Sequence, residues 1–216
     1  LSPDKADEHL LKNQRYAQTT RLIVAFAPLP GYILKVHLDQ QLNDSNTMRK
    51  EQNNMQRITP FLWFDGNAEE AMNFYTSIFK NTEIRSMVRY GEEGPGPKDT
   101  VMTASFRLEG QEFVVLNGGP QFKFTEAISF VVNCQTQEEV DEYWEKLSEG
   151  GEKRQCGWLK DKFGVSWQVV PTVLNELLQD KDAERSGNVM KAMMQMSKID
   201  IETLEKAYKG QATATY

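Results

Sequence analysis

Between residues 58 and 147 the chain spells one hydrophobic pattern twice. The apolar run Ile58-Thr59-Pro60-Phe61-Leu62-Trp63-Phe64 leads into polar Asp65-Gly66-Asn67 and then a stripe of Ala68, Ala71, Met72, Tyr75, Ile78 and Phe79. Further on, Ala127-Ile128-Ser129-Phe130-Val131-Val132 leads into Thr136 and a stripe of Val140, Tyr143, Trp144 and Leu147. One constant offset lays Phe61 on Phe130, Glu69-Glu70 on Glu138-Glu139, Phe74-Tyr75 on Tyr143-Trp144 and Ile78 on Leu147. A half-buried strand, a polar cap and an amphipathic helix thus recur as one unit, the mark of an internal duplication. Each stripe predicts a core-facing helix, with ~1.5–3 kcal/mol from every large side chain fully buried.

After each helix the period changes from that of a helix to that of a strand. In the first unit, Thr82 to Tyr90 predicts a strand and Gly91 to Pro97 a surface loop. Asp99 to Leu108 alternates, with Met102, Ala104, Phe106 and Leu108 against Thr103, Ser105 and Arg107; Glu109-Gly110 turns the chain and Glu112 to Asn117 returns. Asp65-Gly66-Asn67 supplies the helix cap. This first module, residues 57–120, reads as βαβββ. The second, residues 126–170, is shorter: a strand from Ala127 to Asn133, a helix from Thr136 to Ser148, one strand near Lys153 to Leu159 and another from Val165 to Val170. Beyond Pro171 the spacing is helical, through Leu174, Leu177 and Leu178, then the methionine-rich Val189 to Met196, then Ile201, Leu204 and Tyr208 with Asp200 as a cap.

The organisation is therefore α+β: a duplicated domain over 57–170, a helical tail over 171–216, and a polar extension over 1–56. The chain opens without methionine, whereas Met48 and Met55 stand just before the first repeat strand. That placement predicts that the functional domain starts near one of them.

Charge and composition narrow the classes. A net charge of −6 argues against nucleic acid or an anionic membrane as partner. No apolar run is long enough to span a bilayer; the most apolar early stretch, Leu22 to Leu38, is broken by Pro28, Pro30 and Gly31. Two cysteines, Cys134 and Cys156, form neither a disulfide framework nor a zinc spacing, which points to a reducing cytoplasm.

Both histidines, His9 and His37, lie in the extension. The duplicated domain therefore has no Ser-His-Asp triad, and Cys156, the best nucleophile by residue type, has no histidine to ionise it. Only Lys153, Arg154 and Lys160 are near it in sequence, so Cys156 reads as a small packing residue. What remains is a cavity with aromatic walls and a few polar groups. Its candidate residues are Gln168 and Asn117 as polar anchors, with Trp63, Trp158, Glu126 and Cys156.

The wording of the two modules resembles a known family. Ile58 to Ala71, the phrase Leu116-Asn117-Gly118-Gly119-Pro120, the run Cys156 to Pro171 and the tail Val189 to Ile201 are similar to PhnB-like proteins. These carry the label 3-demethylubiquinone-9 3-methyltransferase, within the vicinal oxygen chelate superfamily of glyoxalases, bleomycin-resistance proteins and extradiol dioxygenases. The resemblance covers residues 57 to about 209. It implies two βαβββ modules forming a curved mixed sheet around a cavity, in a homodimer that takes a small-molecule ligand. Methyl transfer from S-adenosylmethionine is not supported, because the Gly-rich turn of a Rossmann-like sheet is missing. Metal enzymes of the superfamily carry His or Glu on the first and last strand of each module. The matching positions here fall near Ile58, Val114, Ala127 and Gln168, which cannot make such a site. The expectation is a metal-independent, cofactor-free binding module of bleomycin-resistance type. An enzyme on the same scaffold, with an oxygen-only magnesium or manganese site from Glu112, Glu126 and Gln168, is the alternative.

Overall fold

The two hydrophobic stripes form helices that coincide end for end under the repeat offset. Helix α1 spans Ala68–Ile78 and α2 spans Gln137–Leu147. Each buries its stripe: Ala68, Ala71, Met72, Tyr75 and Ile78 on α1, and Val140, Tyr143, Trp144 and Leu147 on α2. The computed structural model describes residues 56–211. The reading of 1–56 as an extension, and of a start near Met48 or Met55, lies outside the described residues save for Gln56.

Around α1 lie β1 (Phe61–Phe64), β2 (Thr82–Arg89), β3 (Val101–Leu108) and β4 (Gln111–Asn117). Around α2 lie β5 (Ser129–Cys134), β6 (Glu152–Lys153), β7 (Trp158–Lys160) and β8 (Ser166–Pro171). The sheets run β1-β4-β3-β2 and β5-β8-β7-β6, with the first and last strand of each module parallel and the remaining pairs antiparallel. Both modules are thus complete βαβββ units in two four-stranded mixed sheets, and among the described residues no barrel closes. One face of each sheet joins a single core. Phe113 meets Phe130 at 5.1 Å, Phe79 stacks on Tyr143 at 5.2 Å and Tyr75 meets Trp167 at 5.4 Å between ring centres.

Several expectations need correction. The first strand begins at Phe61, not Ile58; Ile58 is 85% exposed, and Pro60 contributes only its carbonyl, to Val114 N at 2.9 Å. Asn67 does not cap α1 with its side chain. Asn117 does so instead, across 49 residues, its Oδ1 accepting from Ala68 N at 2.9 Å. The single strand expected over 153–159 is two, because Cys156 and Gly157 adopt φ of 59° and 79°. Their amides turn away from the sheet and donate to Met196 O and Ser197 O, both at 2.8 Å.

Residues 172–208 carry three helices: α3 (Thr172–Leu178), α4 (Ala183–Met193), which starts earlier and ends sooner than the methionine-rich Val189 to Met196, and α5 (Ile201–Tyr208). They surround a second cluster of Leu174, Val189, Ile199 and Leu204, with Met193 and Met196 packed against it. Asp200 caps α5 by accepting from Thr203 N at 2.7 Å. Gln137 at the start of α2 ties the tail down, donating to Ile199 O and accepting from Ile201 N. Among the described residues no helix is long and apolar enough to cross a membrane.

Candidate functional site

Alternation along the strands leaves the second face of each sheet without α1 or α2. On the first sheet this open face carries Phe61, Trp63, Glu112, Val114, Leu116, Thr103, Ser105 and Arg107, placed by the register of β1, β4 and β3. On the second it carries Ser129, Val131, Gln168, Trp158 and Lys160. The tail packs against Val170 at one end of this face.

Trp63 is fixed by three neighbours. Its Nε1–H donates to Gly119 O at 2.8 Å, and its ring meets Phe122 edge-on at 5.0 Å. It also lies so close over Gly118 that a Cβ there would fall 2.2 Å from the indole. The Asn117-Gly118-Gly119 phrase is thereby explained: any larger residue at 118 would push the indole out of place. Trp63 forms one wall of a cavity of about 230 Å³ beside β1, with Phe61, Phe122, Phe130, Thr125 and Ser166 among the other walls. Ser166 is only 2% exposed, and its Oγ is buried without a hydrogen-bond partner among the described residues. An unpaired hydroxyl in an apolar wall costs about 1–3 kcal/mol unless something else meets it. Sequence reasoning missed Ser166, because nothing in its neighbours' identity signals an orphaned group.

The other candidates lie elsewhere. Asn117 is spent on structure: besides capping α1, its Nδ2 donates to Val101 O at 2.8 Å, and its own carbonyl accepts from the Tyr90 hydroxyl. Gln168 donates to Ser129 Oγ at 2.9 Å and stands opposite Trp158 in the register. Glu126 is gripped by Lys160 Nζ at 2.9 Å and Arg154 Nη1 at 2.7 Å, and the hydrogen bond from Lys160, then those from its own amide and from Arg154, hold its carboxyl down at about 2. Half-buried Cys156 has its Sγ 3.7 Å from Met193 O and 3.8 Å from Met194 Sδ, with no base beside it. Burial, and secondarily Glu139, push the Cys134 thiol up to about 12, which makes it inert at neutral pH. Of the six candidates only Trp63 lines the cavity beside β1.

Of the four positions matched to the superfamily's metal ligands, Ile58 and Ala127 fall outside the strands, and the pairing sets Phe61 opposite Val114 and Val131 opposite Gln168 instead. These are hydrocarbon side chains and one amide, which do not fit a divalent ion. Glu112 is engaged by Arg107 at 2.6 Å and Glu126 by the pair above, so neither carboxylate is available as a ligand without displacing cations. Among the described residues no three His, Cys, Asp or Glu side chains stand together as a metal site.

One buried carboxylate carries more than its turn position suggested. Asp161, 3% exposed, opens the hairpin between β7 and β8. Its Oδ1 accepts from Phe163 N and Val165 N, both at 2.9 Å. Oδ2 accepts from Trp167 Nε1 at 2.9 Å and from the Tyr75 hydroxyl of α1 at 2.7 Å. The last bond joins the two modules through the core.

Two βαβββ units in tandem, with matching sheet order, agree with what comparison finds. The family model described as 3-demethylubiquinone-9 3-methyltransferase matches residues 56–170, both modules from end to end. The chain belongs to this family. It is a PhnB-like member of the vicinal oxygen chelate superfamily. The PhnB protein of Bacillus cereus is 46% identical, covering 54% of this chain and 100% of its own, with a TM-score of 0.52. A protein of Pseudomonas aeruginosa is 24% identical over 54% of this chain and 97% of its own, TM-score 0.46. The fosfomycin resistance protein FosX of Listeria monocytogenes, complexed with Mn(II) and sulfate ion, is 20% identical over 58% and 96%, TM-score 0.41. No protein of curated function matches the chain.

Proposed function

We propose that this PhnB-like chain is a cytoplasmic, metal-independent binding protein of bleomycin-resistance type, working as a homodimer and holding a small aromatic molecule in the cavity beside β1. The observation that carries this reading is the unpartnered Ser166 hydroxyl set among aromatic walls. A planar ring with one polar substituent would stack between Trp63 and Phe130 while that substituent pairs with Ser166, restoring the missing hydrogen bond. A volume of about 230 Å³ limits the guest to little more than one ring.

Phenol and its simple derivatives are suitable probes. A ligand that binds only the folded chain raises its stability, by about 2.7 kcal/mol at a hundred times Kd. Saturable stabilisation by phenol, reduced in Ser166→Ala, is the expected outcome. If no single-ring probe shifts the melting temperature, or if Ser166→Ala binds as well as the wild type, the reading fails.

The family's description favours a second reading, methyl transfer. A donor such as S-adenosylmethionine would be expected at a Gly-rich strand-to-helix turn of a parallel sheet. Both sheets here mix parallel and antiparallel pairs, and no such unit occurs among the described residues. Stabilisation by S-adenosylmethionine in the same assay would revive this reading, and a stoichiometric divalent ion in the purified protein would revive the carboxylate-metal enzyme.

A further inference from the structure

A larger cleft, about 650 Å³, lies between the modules, away from Trp63 and Ser166. Its floor is aromatic, made by Phe79, Phe113, Phe130, Tyr143 and Trp167. Its rim is acidic: Glu109 from the β3–β4 turn and Glu139 from the first turn of α2, against Lys80 as the one cationic lining residue. Among the described residues neither carboxylate takes part in an ion pair, although the Lys80 charge is felt at Glu109. Glu109 accepts from the Lys80 and Asn81 amides at 3.0 and 3.1 Å and from Asn81 Nδ2, and Glu139 accepts from Gln135 N at 2.7 Å. These neutral donors fix the carboxylates in place, and those bonds keep Glu109 on the ionised side of its ordinary value.

A second, independent feature points inward. Tyr143 is 7% exposed, stacked on Phe79 and part of the cleft wall, and its hydroxyl makes no hydrogen bond among the described residues; Ser166 Oγ is the one buried side-chain polar atom left unpaired there, so the Tyr143 oxygen is open to the cleft rather than sealed in the core. Elsewhere the buried tyrosine hydroxyls are used: Tyr75 donates to Asp161 and Tyr90 to Asn117 O. Burial first, then the charges of Glu109 and Glu139, drive the ionisation of the Tyr143 phenol upward.

From these features we infer that the inter-module cleft is a binding site for an organic cation with an aromatic or bulky apolar body. Aromatic faces attract a cation through their quadrupole, and two fixed carboxylates supply the counter-charge at the mouth. A volume of this size suits a ligand larger than the single ring assigned to the cavity beside β1. The inference stands apart from that assignment, because the two sites share only Phe130.

The test is a calorimetric titration of the 216-residue chain with benzyltrimethylammonium, benzyl alcohol and benzoate. Saturable binding of the cation, about tenfold or more tighter than either of the others, is expected. Glu109→Gln with Glu139→Gln removes the charge and keeps one acceptor oxygen at each position, enough for the Lys80, Asn81 and Gln135 amides though not for Asn81 Nδ2, so it should weaken the cation and leave benzyl alcohol unchanged. Tyr143→Phe should weaken the cation less, and Ser166→Ala not at all. Absence of saturable cation binding overturns the inference. So does equal or tighter binding of benzoate, or cation binding that survives the double substitution. Should the double variant fail to fold, the wild-type charge series and Tyr143→Phe decide alone.

Discussion

Asp161 illustrates how much one residue in a turn can carry. Four donors converge on its two oxygens, two from its own hairpin and two from the core side chains Tyr75 and Trp167. Asp161→Ala would strand the Tyr75 hydroxyl and the Trp167 indole N–H in the interior. Each stranded donor costs about 1–3 kcal/mol, so the variant should lose roughly 3 kcal/mol or more, seen as a lower urea midpoint with an unchanged m-value. Burial pushes the Asp161 carboxyl upward, only partly offset by the donors. A group whose folded value is raised takes up its proton more readily in the folded chain. Its contribution to stability is therefore fullest below the ordinary aspartate value and is lost as pH rises through the raised folded value. Compared with Asp161→Asn, which cannot titrate, the wild type should gain in relative stability on moving from neutral to mildly acidic buffer. Urea midpoints of the two proteins at both pH values check the sign; a gap that does not move, or moves the other way, contradicts it. The strands on either side of Asp161 were legible. The bond of Asp161 to Tyr75, 86 residues earlier, was not, since no local pattern encodes which distant side chain fills a buried acceptor.

At the scale of elements, what was legible is what is local. The stripes of α1 and α2 fix their own helices, Thr136 caps α2 through Glu139 N, and Asp200 caps α5. What was not legible is set by partners far along the chain. The cap of α1 comes from Asn117 rather than Asn67, and the break between β6 and β7 comes from Met196 and Ser197 in the tail. The Ser166 hydroxyl was overlooked for a related reason: an unmet hydrogen bond is a property of surroundings, not of residue type. The break makes a prediction of its own. Gly157 has φ of 79°, and a Cβ there would lie 2.7 Å from the Val169 carbonyl oxygen. Gly157→Ala meets both a backbone penalty of about 1–3 kcal/mol and a clash with β8. It should destabilise the fold by at least that amount and loosen the tail from the second sheet. Faster amide exchange at Cys156 and in the segment 194–199 than in α1 would show the local origin; uniform loosening would argue against it.

Among the described residues, two sheet faces are covered by neither α1 nor α2. Val88, placed on one of them by its register with Thr103, is 47% exposed, and Val131 on the other is 50% exposed. Phe61, also on the first face, is 57% exposed. Apolar side chains gathered on uncovered sheet faces are what an association surface leaves visible in a single chain. The proposed homodimer would cover them, and a stable one needs about 800 Å² from each partner, an area a sheet face of four strands can supply. Sedimentation equilibrium at micromolar concentration should give twice the chain mass. Val88→Lys with Val131→Lys places charges at two half-exposed positions that the core of each module does not use. The double variant should therefore sediment as a monomer while its circular dichroism stays that of the wild type. If the wild type is monomeric, or the double variant dimerises unchanged, the sheet faces are not the interface, and the binding cavity beside β1 must then function within one chain.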